Sequence, residues 1–167
     1  WVLTPGTDSD DTVFAKVASI TGSLGAEVVA LSPERHDQLV AVVSHVPHLT
    51  AATLMGLASE RAEEHAALLR LAAGGFRDMT RVASGRPGIW LDICAENRPA
   101  IVDVLNQLIG GLTEMRDIID ADDREQLYAR LTAARQARVN LPVRVVHPDE
   151  LAEVRIPIPD RTGAAAE

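Results

Sequence analysis

Hydrophobic and polar positions along the chain change period twice. Trp1-Val-Leu-Thr4 is a short β-type run closed by Pro5-Gly6, and Glu27-Val-Val-Ala-Leu31 is a second. Between them Asp8, Ser9 and Asp10 offer N-caps for an amphipathic stretch from Asp11 to Leu24, which Gly25 ends. Strand, helix, strand suits a parallel crossover. Two strands make no independent sheet, so residues 1–32 read as the end of an α/β domain.

From Ser32 the apolar spacing turns helical. Ser32 is placed to cap, Pro33 to take the first helical position, and Glu34 to meet the positive end of the helix dipole. The pattern predicts a helix to Leu57 or so, bent at Pro47, which has no N–H for the Val43 carbonyl. A second helix is predicted from Ser59 to Ala73, stopped by Gly74-Gly75, then a short polar helical turn from Phe76 to Ala83. Pro87-Gly88 open a segment carrying Trp90, Ile93 and Cys94. Asn97 and Pro99 begin the longest regular stretch, where Ile101, Leu105, Leu108, Leu112, Met115 and Ile119 form a heptad-like seam. After Asp120 to Asp123 a last helix aligns Leu127, Leu131 and Ala134 and ends before Asn140-Leu-Pro142. Residues 140–152 read as a linker. Beyond it Val154-Arg-Ile-Pro-Ile-Pro alternates, and Asp160-Arg-Thr-Gly163 turns into the start of a helix. The chain so read is a segment cut at both ends.

Composition narrows the partners. With 16 Lys and Arg against 24 Asp and Glu, the net charge of −8 disfavours nucleic acid and anionic lipid. The single Cys94 forms no intrachain disulfide, no basic-then-apolar leader is present, and the expected compartment is the cytoplasm. No apolar run approaches the roughly 20 residues of a membrane span, so no membrane is expected. Aromatic residues are only 3% of the chain, so the core must be aliphatic, Ala-rich and helical. Wide apolar stripes on a few helices bury little alone, which points to a homodimer.

The densest polar cluster is His36-Asp37 with Ser44-His45-Val46-Pro47-His48. His36, Val40, Ser44 and His48 recur every four residues and drift round one helix side, so two imidazoles and a hydroxyl can face one cleft. The alternative is a set of satisfied or solvated polar groups. A metal would want three or four convergent ligands, more than His45, His48 and a carboxylate supply, and none is expected. In Gly74-Gly75-Phe76-Arg77-Asp78-Met79-Thr80-Arg81 the glycines expose backbone N–H groups and the arginines offer forked donors, which suits a small anion. A helix cap followed by solvated charges is the other reading. The sequence contains no G-x-G-x-x-G, P-loop, G-x-S-x-G or H-E-x-x-H.

The ordered set His36-Asp37, Ser44-His45-Val46-Pro47-His48, Gly75-Phe76-Arg77-Asp78-Met79-Thr80-Arg81-Val82-Ala83 and Trp90 resembles the helical C-terminal domain of prephenate dehydrogenases. The resemblance implies a mainly α fold, a helical dimerisation bundle of the 6-phosphogluconate dehydrogenase C-terminal type. It places a β-α-β remnant of the NAD-binding Rossmann domain at 1–32 and the substrate-binding and dimerisation domain at 33–139. The segment at 153–167 resembles the start of an ACT regulatory domain.

The implied activity is oxidative decarboxylation of prephenate to 4-hydroxyphenylpyruvate with NAD, on the route to tyrosine; NADP stays open, because the residue reading the ribose 2′ position lies elsewhere. By motif matching, Arg81 takes a substrate carboxylate, His48 and the Gly74 backbone contact the ligand, and Trp90 reaches toward the partner subunit's site. His36 and Ser44 line the pocket. The resemblance implies no catalytic residue in this segment, since the family's proton-accepting His belongs to an H-P-x-x-G segment that is not found here. The 167 residues alone are expected to bind substrate and dimerise without turnover. An arogenate dehydrogenase, or a non-catalytic helical dimer sensing tyrosine or a related acid, are the alternatives.

Overall fold

The computed structural model describes residues 1–64 and 67–142. Most of the expected linker and the ACT-like start at 153–167 lie outside the described residues. The chain divides into two compact units, Trp1–Glu114 and Met115–Glu167.

The first unit opens as expected, with β1 (Val2–Leu3), α1 (Asp11–Ser23) and β2 (Val29–Ala30). The strands pair in parallel, Val2 opposite Val29 and Leu3 opposite Ala30. They are shorter than the runs that predict them, because among the described residues the sheet has only these two strands to extend the ladder. Helix α1 starts where the Asp10 carboxylate accepts the Thr12 and Val13 N–H groups. It ends where Gly25, at φ +78°, donates to Gly22 while Ala26 reaches back to Thr21, a left-handed cap that glycine adopts without strain.

Helix α2 (Pro33–Val40), capped by the Ser32 hydroxyl, runs on into α3 (Val46–Glu64) through a wide π turn at Ala41–His45. The Val46 N–H bonds to the Ala41 carbonyl, five residues back. The predicted disturbance at Pro47 is thus taken up in the turn before it, where the missing proline N–H already breaks the regular ladder. The expected break near Leu57 does not occur. Gly56 and Ser59 lie inside α3, where burial of Ala51 and Ala58 outweighs the cost of about 1 kcal/mol for one helical glycine. The helix does not continue to Ala73 either, since Leu68–Leu71 form a single 3-10 turn. Contrary to the sequence expectation, the stretch Pro33–Ala62 is by length and composition apolar enough to cross a membrane, with a mean hydropathy of 1.4 over its best window. Its scattered Ser, Thr and His are too few to offset the Ala, Val and Leu between them, and Ala41, Val46 and Ala51 on it are buried in protein.

Gly74 and Gly75 open a helix rather than close one: α4 (Gly74–Thr80) leads directly into a 3-10 segment, Arg81–Ser84, and both pack on α3. Next come α5 (Pro87–Glu96) and α6 (Arg98–Asp120). The core is small and aliphatic. Ala41, Val46 and Ile101 form its centre, with Leu49, Ile93, Cys94, Val104, Leu105 and Leu108 packed around them. The seam on α6 holds for Ile101, Leu105 and Leu108 but then shifts, leaving Leu112 and Ile119 more than half exposed and Ile118 buried instead. Ile101 and Ile119 are five full turns of a 3.6-residue helix apart and share one face, so the shift reflects a change in what covers the helix along its length, the first unit ending at Glu114, and not drift of the seam round it.

In the second unit the end of α6 turns into α7 (Arg124–Val139) through Asp122, at φ +50°, a left-handed position that Asp tolerates better than most residues. Asp123 then caps α7 by accepting the Gln126 N–H.

Ile101 is 4% exposed at the centre of the core. Ile101→Ala should therefore lower the unfolding free energy by about 2–5 kcal/mol in denaturant titrations, whereas Val102→Ala, on the exposed side, should change it by less than about 1 kcal/mol.

Candidate functional site

The polar centre is built around Asn97, which stands at the joint of α5 and α6. Its backbone N–H closes α5 on the Ile93 carbonyl, and its own carbonyl accepts the Ile101 N–H of α6. The side chain is 6% exposed. Its amide nitrogen bonds the Asp37 carbonyl at 2.8 Å and His45 Nδ1 at 3.1 Å, across 60 and 52 residues of sequence. A peptide carbonyl can only accept, which fixes the amide orientation with both hydrogens spent. His45 Nδ1 is then an acceptor and the ring proton sits on Nε2. Burial of the ring holds the His45 pKa below its ordinary value; the Asp37 carboxylate opposes that shift and His36 adds to it.

The rings of His45 and Trp90 stand perpendicular, with centroids 6.2 Å apart. Trp90 in turn stacks on His48, centroids 3.5 Å apart and planes within 11°. Gly85 closes this group. A Cβ built there would lie 3.5 Å from His48 Cε1 and 3.9 Å from Trp90 Nε1, and only 3.3 Å from the Val82 carbonyl oxygen. A larger residue would press on the stack.

The sequence cluster is divided by the structure. His36, Asp37, Val40, Ser44 and His45 line one open cleft of about 420 Å³ with Asp92, Ile93, Glu96 and Asn97. His48 is not among its walls. Residues spaced by four share a side of a helix, but each step also climbs about 6 Å, so His36 and His48 are three turns apart along the axis. His36 bonds through Nδ1 to Asp37 at 3.0 Å, both partly solvent-exposed. Ser44 is exposed in the π turn. Trp90 contacts the imidazoles of its own chain.

Arg81 begins the 3-10 segment that packs on α3 and leads to Gly85 beside His48. Its guanidinium is exposed and has no hydrogen bond or ion pair among the described residues. Gly74 opens α4 with no side-chain cap, and a Cβ there would meet nothing within 4 Å, so the first backbone N–H groups stand open. Among the described residues no three His, Cys, Asp or Glu converge for a metal ion. Taken one by one, a forked cation with no partner among the described residues and a stacked indole–imidazole pair are groups that suit a small anion with a planar part.

Asn97 and Gly85 carry no motif signal that would single them out. Asn97 reads only as the start of a helix before Pro99, and nothing local announces a bond to a carbonyl 60 residues earlier.

The model of the family described as prephenate dehydrogenase, dimerization domain, matches residues 32–133. The prephenate dehydrogenase of Bacillus subtilis is 32% identical over 168 residues, covering 100% of this chain and 45% of that protein. The cyclohexadienyl dehydrogenase of Zymomonas mobilis is 34% identical over 141 residues, 84% of this chain and 48% of that protein. Among solved structures, the Aquifex aeolicus prephenate dehydrogenase in complex with hydroxyphenyl propionate and NAD+ superposes with a TM-score of 0.79 at 28% identity, covering 84% of this chain and 49% of that one. The Synechocystis arogenate dehydrogenase gives 0.77 at 26%, covering 84% and 51%. The chain spans about half the length of the relatives it matches.

Because the folded pKa of His45 lies below the unfolded value of 6.5, its contribution to stability is complete above pH 6.5 and is lost as the pH falls from there through the folded pKa. Wild type should therefore lose more unfolding free energy between pH 8 and pH 5 than His45→Gln does, measured by denaturation at both pH values. Separately, Asn97→Leu should cost about 1–3 kcal/mol at pH 8 by the same measurement, since it strips the Asp37 carbonyl and His45 of a buried partner.

Proposed function

The chain belongs to the prephenate dehydrogenase dimerization-domain family, and from that membership we propose that it is the substrate-binding and dimerising part of an enzyme that oxidatively decarboxylates prephenate with NAD. The observation that carries this reading is the Arg81 guanidinium, without a partner among the described residues, on a segment that packs on α3 and leads to Gly85 beside His48 and Trp90. Prephenate is a small ring bearing two carboxylates; a free, forked, permanently charged donor meets one of them bidentately. In this reading His48, with Trp90 stacked on it, receives the ring, and the Gly74 backbone lines the same pocket. Ser44 and His36, in the neighbouring cleft, line the approach.

The described residues do not form a dinucleotide cradle. The strand-to-helix turn from β1 to α1 is capped by the Asp10 carboxylate, with Asp8 and Asp11 beside it, where a pyrophosphate needs open N–H groups. NAD is proposed on the strength of the A. aeolicus relative and is held by other residues. The roles assigned to this chain are binding and orientation: holding the ring so that the hydroxyl-bearing carbon is presented and the ring carboxylate leaves as carbon dioxide. The group that takes the hydroxyl proton also lies outside these residues, so the 167-residue chain by itself should show no turnover. The reaction is placed in the cytoplasm, in keeping with bacterial relatives and the free thiol of Cys94.

Homodimerisation is proposed with it. Among the described residues no large side chain is fully buried, while Ile109 and Leu112 on α6 and, in the second unit, Tyr128 and Leu131 on α7 stand more than half exposed. Each of these apolar faces is suited to the matching helix of a second copy. The Synechocystis relative supports arogenate as a second substrate reading, and tyrosine, which keeps the hydroxyphenyl ring and a carboxylate, as a competitor for the site.

Titration of prephenate, arogenate and tyrosine into the intact protein separates these ligands. Arg81→Ala should weaken the preferred one at least tenfold, the size of a lost charge-assisted hydrogen bond of about 1.5–3 kcal/mol, and Arg81→Lys should restore only part of it. Unchanged affinity in Arg81→Ala would remove the guanidinium from the site. In light scattering, Ile109→Glu should halve the particle mass if α6 carries the dimer.

A further inference from the structure

Asn97 has no part in the binding roles assigned above, yet it is the most deeply buried polar side chain among the described residues. Both of its amide hydrogens are committed, one to the backbone of α2 and one to His45. Burying an amide is unfavourable unless every hydrogen is matched, so this residue holds its partners to one geometry. Through His45 the constraint reaches Trp90, which stands perpendicular to the His45 ring and face to face with His48. The connection is continuous: Asp37 carbonyl, Asn97 amide, His45 imidazole, Trp90 indole, His48 imidazole.

We propose that Asn97 is a positioning residue of the ligand site, acting through His45 to set the Trp90–His48 pair. The proposal rests on the reading that His48 and Trp90 receive the ligand. Its chemical content is a tautomer. An amide donor at Nδ1 leaves the His45 proton on Nε2 and keeps the ring neutral, even though Asp37, Asp92 and Glu96 line the same cleft and His36 is beside it. A carboxylate in place of the amide reverses this. In Asn97→Asp the side chain can no longer donate to the Asp37 carbonyl, and it draws a proton onto His45 Nδ1.

The test combines nitrogen-15 imidazole NMR with titration of 3-(4-hydroxyphenyl)propionate into the intact protein. Wild type should show His45 as the neutral Nε2–H form at pH 7, and Asn97→Asp should show Nδ1 protonated, with a shifted Trp90 indole N–H resonance. The dissociation constant of the probe should rise about tenfold, as expected when one anchoring hydrogen bond is lost. His45→Gln should weaken binding similarly, and adding Asn97→Asp to it should cost little more. A wild-type His45 protonated on Nδ1 overturns the proposal, as does unchanged affinity in Asn97→Asp when Arg81→Ala still weakens binding. If Asn97→Asp does not fold, unchanged affinity in His45→Gln overturns it in the same way. Loss of affinity in neither Arg81→Ala nor Asn97→Asp, or no binding of the probe by wild type, overturns the substrate-site reading itself, and this proposal with it.

Discussion

The first unit depends on one buried amide. Asn97 closes α5 and starts α6 through its backbone, and its side chain holds the α2 backbone and the His45 ring, so two stretches of chain more than 50 residues apart meet at a single side chain. Apolar contacts between smooth Ala, Val and Ile surfaces tolerate small rotations at little cost. A pair of hydrogen bonds in a dry place does not, because turning the helix by a few tens of degrees would leave a donor and an acceptor unmatched. The core supplies the attraction between α5, α6 and the central helix; Asn97 supplies their register.

The π turn at Ala41–His45 belongs to the same arrangement. Asp37, whose carbonyl Asn97 engages, also accepts the Ala41 N–H, immediately before the backbone widens. Pro47 two residues further on has no N–H to give, so a strained point in the ladder coincides with the place where outside donors and rings are anchored. A local backbone irregularity here brings a cluster of polar side chains onto an otherwise aliphatic helix.

The proposed ligand groups stand outside the aliphatic core. The small aliphatic core does not include Arg81, whose guanidinium has no hydrogen bond or ion pair among the described residues. His48 and Trp90 satisfy each other by stacking, which keeps two amphipathic rings preorganised without polar partners. Apolar side chains left exposed on α6, and in the second unit on α7, find too few apolar neighbours among the described residues to bury them, which is why a second copy is proposed for them.

Much of this was written locally. Asp10, Ser32 and Asp123 cap the helices they precede and Gly25 adopts the left-handed conformation where α1 stops, because caps and turns depend on residues a few positions apart; the two β-type runs were legible from their own alternation, while their parallel pairing joins residues 27 apart. The motifs around Ser44-His45-Val46-Pro47-His48 and Gly75–Ala83 carried the family on their own. Spacing failed where distance mattered. His36 and His48 share a periodicity but not a cleft, since a helix face says nothing of height along the axis; Gly74-Gly75 open a helix that their composition suggested they would end; and the α6 seam leaves Leu112 and Ile119 exposed after Leu108. The role of Asn97 was decided by the tertiary structure alone, because a hydrogen bond across 60 residues is a property of packing and leaves no trace in the residues beside it.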